Sequence, residues 1–95
     1  MADQRVIVPF MLPDQLAAFV QETRAAEEAK KDGETIIFIG FSDEALEQYE
    51  ELDVEFTNHM ITNFGVSFDF QGVSCSLEDD LVDSQIAIII RKWVK

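Results

Sequence analysis

His59 and Cys75 are the chain's one imidazole and one thiol, so any Ser-His-Asp or Cys-His device has to use His59. Their surroundings favour plainer roles. His59 falls among residues with helical spacing, and Cys75 alternates with Val73 and Leu77, so a partly buried helix histidine and a small core cysteine account for both. Two such residues fall short of a full set of structural zinc ligands. Glu78, Asp79, Asp80 and Asp83 have the oxygens that calcium takes, but not the D-x-[DN]-x-[DN]-G spacing of a calcium loop. There is no glycine-rich phosphate loop, and no catalytic pair of acids for glycoside hydrolysis stands out among nineteen carboxylates. The expectation is a chain that is no enzyme, with no catalytic residue, no metal and no cofactor.

The chemistry that does stand out is charge. Seven carboxylates fall between Asp43 and Glu55 with no basic residue among them. On a helical wheel Ala45, Leu46, Tyr49, Leu52, Phe56, Met60 and Phe64 collect on one side, while Asp43, Glu44, Glu47, Glu50, Glu51 and Glu55 collect on the other. The spacing predicts one acid-backed helix from Ser42 to Gly65. Ser42 suits the N-cap, Phe41 and Leu46 are spaced as a hydrophobic staple, Asp43 and Glu44 suit the first turn, and Gly65 suits the end. Asp53 is the irregularity, because it falls near the apolar side while Val54 and Ile61 fall among the acids. Either the helix breaks near Asp53, or Val54 and Ile61 are apolar points on a binding surface; an extended Leu52 to Phe56 also fits the alternation. The continuous helix is the favoured reading.

That acid face opposes stability. Asp43 with Glu47, Glu47 with Glu51, and Glu51 with Glu55 are like charges at i,i+4, each costing about 0.2–0.5 kcal/mol in a helix. It also approaches a nucleic acid in charge density. Seven carboxylates over a helix of ~20 Å give one charge per ~3 Å, against one per ~1.7 Å of duplex DNA.

The elements that would position this surface can be read in order. Arg5 to Phe10 reads as a strand around Val6, Ile7 and Val8, with Pro9 at its end or at a sheet edge. Pro13 and Asp14 open a helix with the stripe Leu16, Phe19, Val20 and Thr23, closed near Asp32 and Gly33. Glu34 to Gly40, through Ile36, Ile37, Phe38 and Ile39, reads as a central strand. Past Gly65 the period changes to two: Val66, Phe68 and Phe70 alternate with polar residues, Gln71-Gly72 turns the chain, and Val73, Cys75 and Leu77 return. Glu78, Asp79, Asp80 and Asp83 fall in a loop or a single helical turn with capping-box spacing from Ser76 to Asp79. Gln85 to Val94 is a last interior strand, with Trp93 as either a core anchor or a dimer contact. The order β-α-β-α-β-β-β predicts an α+β two-layer sandwich, two helices on one face of a mixed four- to five-stranded sheet.

Ninety-five residues, 47% of them hydrophobic, form one domain with a real core, and the formal net charge of -12 belongs to its surface. Between Lys31 and Arg91 there is no Lys or Arg, whereas that interval holds fourteen carboxylates. Such a chain avoids nucleic acids and anionic membranes. A single cysteine fits a reducing compartment, the N-terminal MADQRVIVPF is no signal peptide, and the longest apolar run, Ile86 to Ile90, is far short of a membrane span. A cytoplasmic protein is expected.

The partner that suits the surface is a basic nucleic-acid-binding protein such as a nuclease, a CRISPR effector or a DNA-binding regulator. Asp43, Glu44, Glu47, Glu50, Glu51, Val54, Glu55, Glu78, Asp79 and Asp80 are the candidate contact residues, with Tyr49 and Ile61 as further apolar points. In size and charge the chain resembles the small acidic proteins that phages and mobile elements use against restriction, CRISPR or host DNA-binding proteins; immunity proteins against basic nucleases look the same at this level. The alternative is a structural or assembly domain, a homodimer through strand edges, whose acidity serves only solubility.

Overall fold

The two most apolar runs of the chain lie side by side in the sheet. In the computed structural model, which describes residues 3–63 and 65–93, β2 (Glu34–Phe41) and β6 (Ile86–Trp93) pair antiparallel along their whole length, from Glu34 opposite Trp93 to Phe41 opposite Ile86. Around them run β1 (Gln4–Val8), α1 (Pro13–Ala29), α2 (Asp43–Glu51), β3 (Thr57–Thr62), β4 (Gly65–Phe70) and β5 (Val73–Leu77). The fold is α+β, with a six-stranded mixed sheet in the order β1-β6-β2-β5-β4-β3. Only β2 and β5 pair in parallel; the other neighbours are antiparallel.

One set of alternate strand residues makes the core. Ile37, Ile39 and Phe41 of β2 lie opposite Ile90, Ile88 and Ile86 of β6, and all six are buried together with Phe68, Phe70 and Cys75. Leu16 and Val20 of α1 and Ala45 and Tyr49 of α2 join the same cluster. The other set, including Ile36, Phe38, Ile89, Arg91 and Trp93, points to the opposite side of the sheet. Trp93, a little over half exposed, therefore does not anchor the last strand to the core.

The long acidic helix expected from the sequence is shorter than its pattern. α2 stops at Glu51, and its exit is a Schellman turn: the amide of Val54 donates to Tyr49 O at 3.0 Å and that of Asp53 to Glu50 O at 3.0 Å. The left-handed residue this turn requires is Asp53, at φ 58°. Asp and Asn tolerate that region better than most residues, which is why a carboxylate ends the helix where glycine would be usual. The following residues form the extra strand, β3, at the sheet edge. Phe56 and Met60 fit helical spacing by coincidence: Phe56 instead meets the rings of Phe41, Phe68 and Phe70 at 4.9–6.1 Å. Gly65, at φ 120°, opens β4 rather than closing a helix, while Phe64 and Val94 lie outside the described residues. β3 is irregular, its register shifting between Thr57 and Met60, with Asn58 at φ 54° and its amide donating to Asp69 at 2.7 Å.

Other local expectations match the structure. Ser42 Oγ accepts from Ala45 N at 3.1 Å as the N-cap of α2, and Gln71-Gly72, both at positive φ, turns β4 into β5. α1 ends over a small ionic group. Lys92 reaches in from β6 and donates to the Glu27 carbonyl at 2.6 Å and to Thr35 Oγ1 at 2.8 Å, with Asp32 at 2.8 Å. The buried Glu27 carboxylate is met by Lys30 at 2.7 Å and Lys92 at 3.8 Å.

Candidate partner-binding site

α2 presents its acids outward because Ala45 and Tyr49 hold the opposite side in the core. Asp43, Glu44, Glu47, Glu50 and Glu51 are all exposed. Five carboxylates on a nine-residue helix of ~13.5 Å give one charge per ~2.7 Å. Glu47 is the hub, three or four residues from each of the other four, so every close like-charge pair on the helix except the neighbours in sequence passes through it. The macrodipole stabilises Asp43 and Glu44 in the first turn and works against Glu50 and Glu51 in the last.

The second acid segment is fastened to the start of this helix. Glu78 N donates to Phe41 O at 2.9 Å and Ser42 N donates to Gln85 O at 3.3 Å, while Gln48 Nε2 donates to Ser84 Oγ. Between those ties residues 78–85 make two tight turns instead of a helical turn, with Leu81 buried beneath them. A depression follows, lined by Ser42, Asp43, Glu44, Glu78, Asp79 and Asp83 among others. Asp83, at φ 52°, thus belongs beside the acids singled out by sequence. No group of three or more His, Cys, Asp or Glu residues is arranged to hold a metal ion among the described residues.

Several candidate residues sit differently from expectation. Glu55 has left the helix, which dissolves its repulsion with Glu51, and lines a separate depression with Val54, Pro13 and Thr57. Val54 is half-buried against the core, so it is no apolar point in an acid field. Tyr49, 1% exposed, cannot meet a partner either. Its hydroxyl donates to Met11 O at 2.6 Å, and burial pushes its pKa up to about 12. Ile61 is exposed on edge strand β3, away from the helix. Asp80 is already answered by Arg5 at 2.9 Å.

Among the described residues, no cation lies within ion-pair distance of Asp43, Glu44, Glu47, Glu50, Glu51 or Glu55, nor of Glu78, Asp79 and Asp83. Several of the basic residues are engaged elsewhere in the same chain: Arg91 holds Asp3 through two bonds of 2.9 and 3.0 Å, which keeps the Asp3 carboxyl below its ordinary pKa. Lys30 and Lys92 hold Glu27 and Asp32.

His59 and Cys75 have plain surroundings. His59 is exposed on β3 with its ring stacked on Phe68 at 5.7 Å, not partly buried on a helix. Cys75 is buried, donates to Val73 O at 3.3 Å, and has its pKa pushed up to about 12 by burial. A thiol in that state is a poor nucleophile near neutral pH.

No helix among the described residues is long and apolar enough to cross a membrane. Compared with known proteins, the chain matches no family, no curated protein and no solved structure.

Proposed function

We propose that this chain is a non-enzymatic inhibitor or regulator, acting in the cytoplasm, that binds a basic nucleic-acid-binding protein by presenting carboxylates in place of backbone phosphates. The observation that carries the reading is the joining of two acid segments around Ser42, α2 and the 78–83 loop, in which Asp80 is the one carboxylate with an ion-pair partner among the described residues. A loop tied by backbone hydrogen bonds to a capped helix holds its charges in a fixed array, so little ordering entropy is lost on binding. Lysines and arginines that otherwise grip phosphates would pair with Asp43, Glu44, Glu47, Glu50, Glu51, Asp79 and Asp83, and the association would be steered by charge and weakened by salt. Anti-CRISPR and anti-restriction proteins of phages and mobile elements are the class this mechanism fits.

The test is capture from cell extract on the immobilised chain, beside a variant carrying Glu47→Gln, Glu50→Gln and Glu51→Gln. The reading expects a nucleic-acid-binding protein that is retained at low salt, released by salt and by competing duplex DNA, and not retained by the variant. Retention of nothing basic would leave the acid face as a solubilising surface and overturn it.

A further inference from the structure

The side of the sheet turned away from the helices carries a patch unlike the rest of the surface. In a chain of net charge -12, strands β1, β6 and β2 bring Ile7, Ile36, Phe38, Ile89 and Trp93 together there, as register and alternation require. Ile7 is 42% exposed and Trp93 52%. The charge within the patch is balanced in two pairs: the Arg91 guanidinium lies 5.2 Å from the centre of the Phe38 ring and is neutralised by Asp3, and Arg5, beside Ile89, is neutralised by Asp80. Beside the patch, β5 and β4 add Ser74, Ser76 and Ser67, leaving a shallow concavity bordered by Phe38, Ile89 and Arg91. The other carboxylates on this face are Asp80, which answers Arg5 beside Ile89, Glu34 at one end of β2, Glu78 across Gly40 near the other, and Asp69 held by Asn58.

We propose that a second copy of this chain covers the patch, the two sheets packing face to face. Charge selects this arrangement. The unanswered acids of α2 lie on the far side of each sheet, so face-to-face packing places the two helix layers at opposite outer surfaces, roughly 30 Å apart with sheets and helices stacked at ~10 Å spacings. That exceeds the ~8 Å screening length at physiological salt several-fold. Pairing through strand edges would keep both acid surfaces on one side of a continuous sheet, and any contact made by α2 itself would bring like charges together. Size agrees as well. Six strands ~4.8 Å apart and about 20 Å long project roughly 600 Å² before side-chain relief is counted, approaching the ~800 Å² that each partner contributes to a stable interface. The apolar residues occupy the β1-β6-β2 half of this face and the serines of β5 and β4 lie beside them, so the face offers both apolar and polar contact to a partner.

The dimer is independent of the proposed acidic contact, and salt separates the two: apolar packing is maintained or strengthened by raised salt, whereas pairing of α2 with a basic protein is weakened. Sedimentation velocity of the purified chain from 1 to 200 µM, the concentration series being on the order of common affinities for standard interfaces, reads the association. The expected result is a monomer–dimer equilibrium that persists in 0.5 M NaCl, with a blue shift of Trp93 emission as concentration rises. The double variant Ile7→Lys, Trp93→Lys changes two exposed positions, so its fold is expected to survive and is checked by far-ultraviolet circular dichroism. It lowers the net negative charge, so loss of its dimer cannot come from greater overall repulsion between the copies, and a weakening of at least tenfold is expected. Ile61→Lys, on the β3 edge, is expected to dimerise like the wild type. A monomer throughout the series, a dimer that survives the double variant, or a dimer lost with Ile61→Lys overturns the proposal.

Discussion

The amide of Glu78 donates to the carbonyl of Phe41 at 2.9 Å, one residue before the Ser42 that caps α2. Its side chain lies across Gly40, where a Cβ would collide with it. An acid loop and an acid helix distant in sequence are thereby held as one surface. The fold tolerates repulsion there because each piece has its own apolar anchor, Leu81 under the loop and Tyr49 under the helix.

Repulsion on α2 should be measurable as stability. Glu47→Gln removes the one carboxylate that lies three or four residues from each of the other four, and each exposed like-charge pair costs about 0.2–0.5 kcal/mol, so a gain of roughly 0.8–2 kcal/mol is expected. Urea denaturation at 10 mM and 500 mM NaCl checks it. The wild type should be stabilised by salt and the variant less so, because screening already removes part of what the substitution removes.

The helix stop at Asp53 rests on a left-handed backbone, φ 58°. A β-branched residue is strained in that region, so Asp53→Val is expected to cost about 1–2 kcal/mol, while Asp53→Gly is tolerated within a few tenths of that scale or is stabilising. Thermal unfolding of the pair decides it, and equal losses would contradict the Schellman exit.

Alkaline pH should unfold the core from within. Tyr49 and Cys75 have folded pKa values of about 12, raised from ordinary values of 10.0 and 9.0. Both are neutral when protonated, so the raised folded value means that their contribution is fully present below the unfolded pKa and is lost as pH rises toward 12. Stability should begin to fall above pH 9, and Tyr49→Phe should flatten the part of the loss above pH 10. The same variant forfeits the bond to Met11 O, costing about 1 kcal/mol at neutral pH. Denaturation curves from pH 7 to 11 test both.

Lys92 carries several bonds under the end of α1. Lys92→Met is expected to cost about 2–3 kcal/mol, because it withdraws donors from the Glu27 carbonyl and Thr35 and leaves the buried Glu27 carboxylate with Lys30 alone. Adding Glu27→Gln should recover part of that loss. A double variant no more stable than Lys92→Met would contradict the ionic account.

The sequence made the two central strands legible because β2 and β6 are buried runs of isoleucine that no solvent-facing helix would carry. The start of α2 was legible for local reasons, Ser42 with Asp43 and Glu44. Its end was not, because Phe56 and Met60 continue a 3.6-residue spacing past the true stop, and the stop uses Asp53 where glycine is customary. Asp53 on the apolar side of the wheel was the available sign. The joining of the two acid segments was beyond local pattern, since it depends on the parallel pairing of β2 with β5, which brings the ends of those strands, Phe41 and Leu77, side by side. The balanced apolar patch is equally a product of register.

The most direct test of the central claim is displacement. A fluorescent duplex is bound to the captured basic partner, and the chain is titrated in at fixed low salt while anisotropy is followed. The account predicts that the wild type releases the duplex completely and that the Glu47→Gln, Glu50→Gln, Glu51→Gln variant needs at least tenfold more protein to do so. Duplex that stays bound under saturating wild type, or that is released equally by both proteins, would contradict phosphate mimicry by α2.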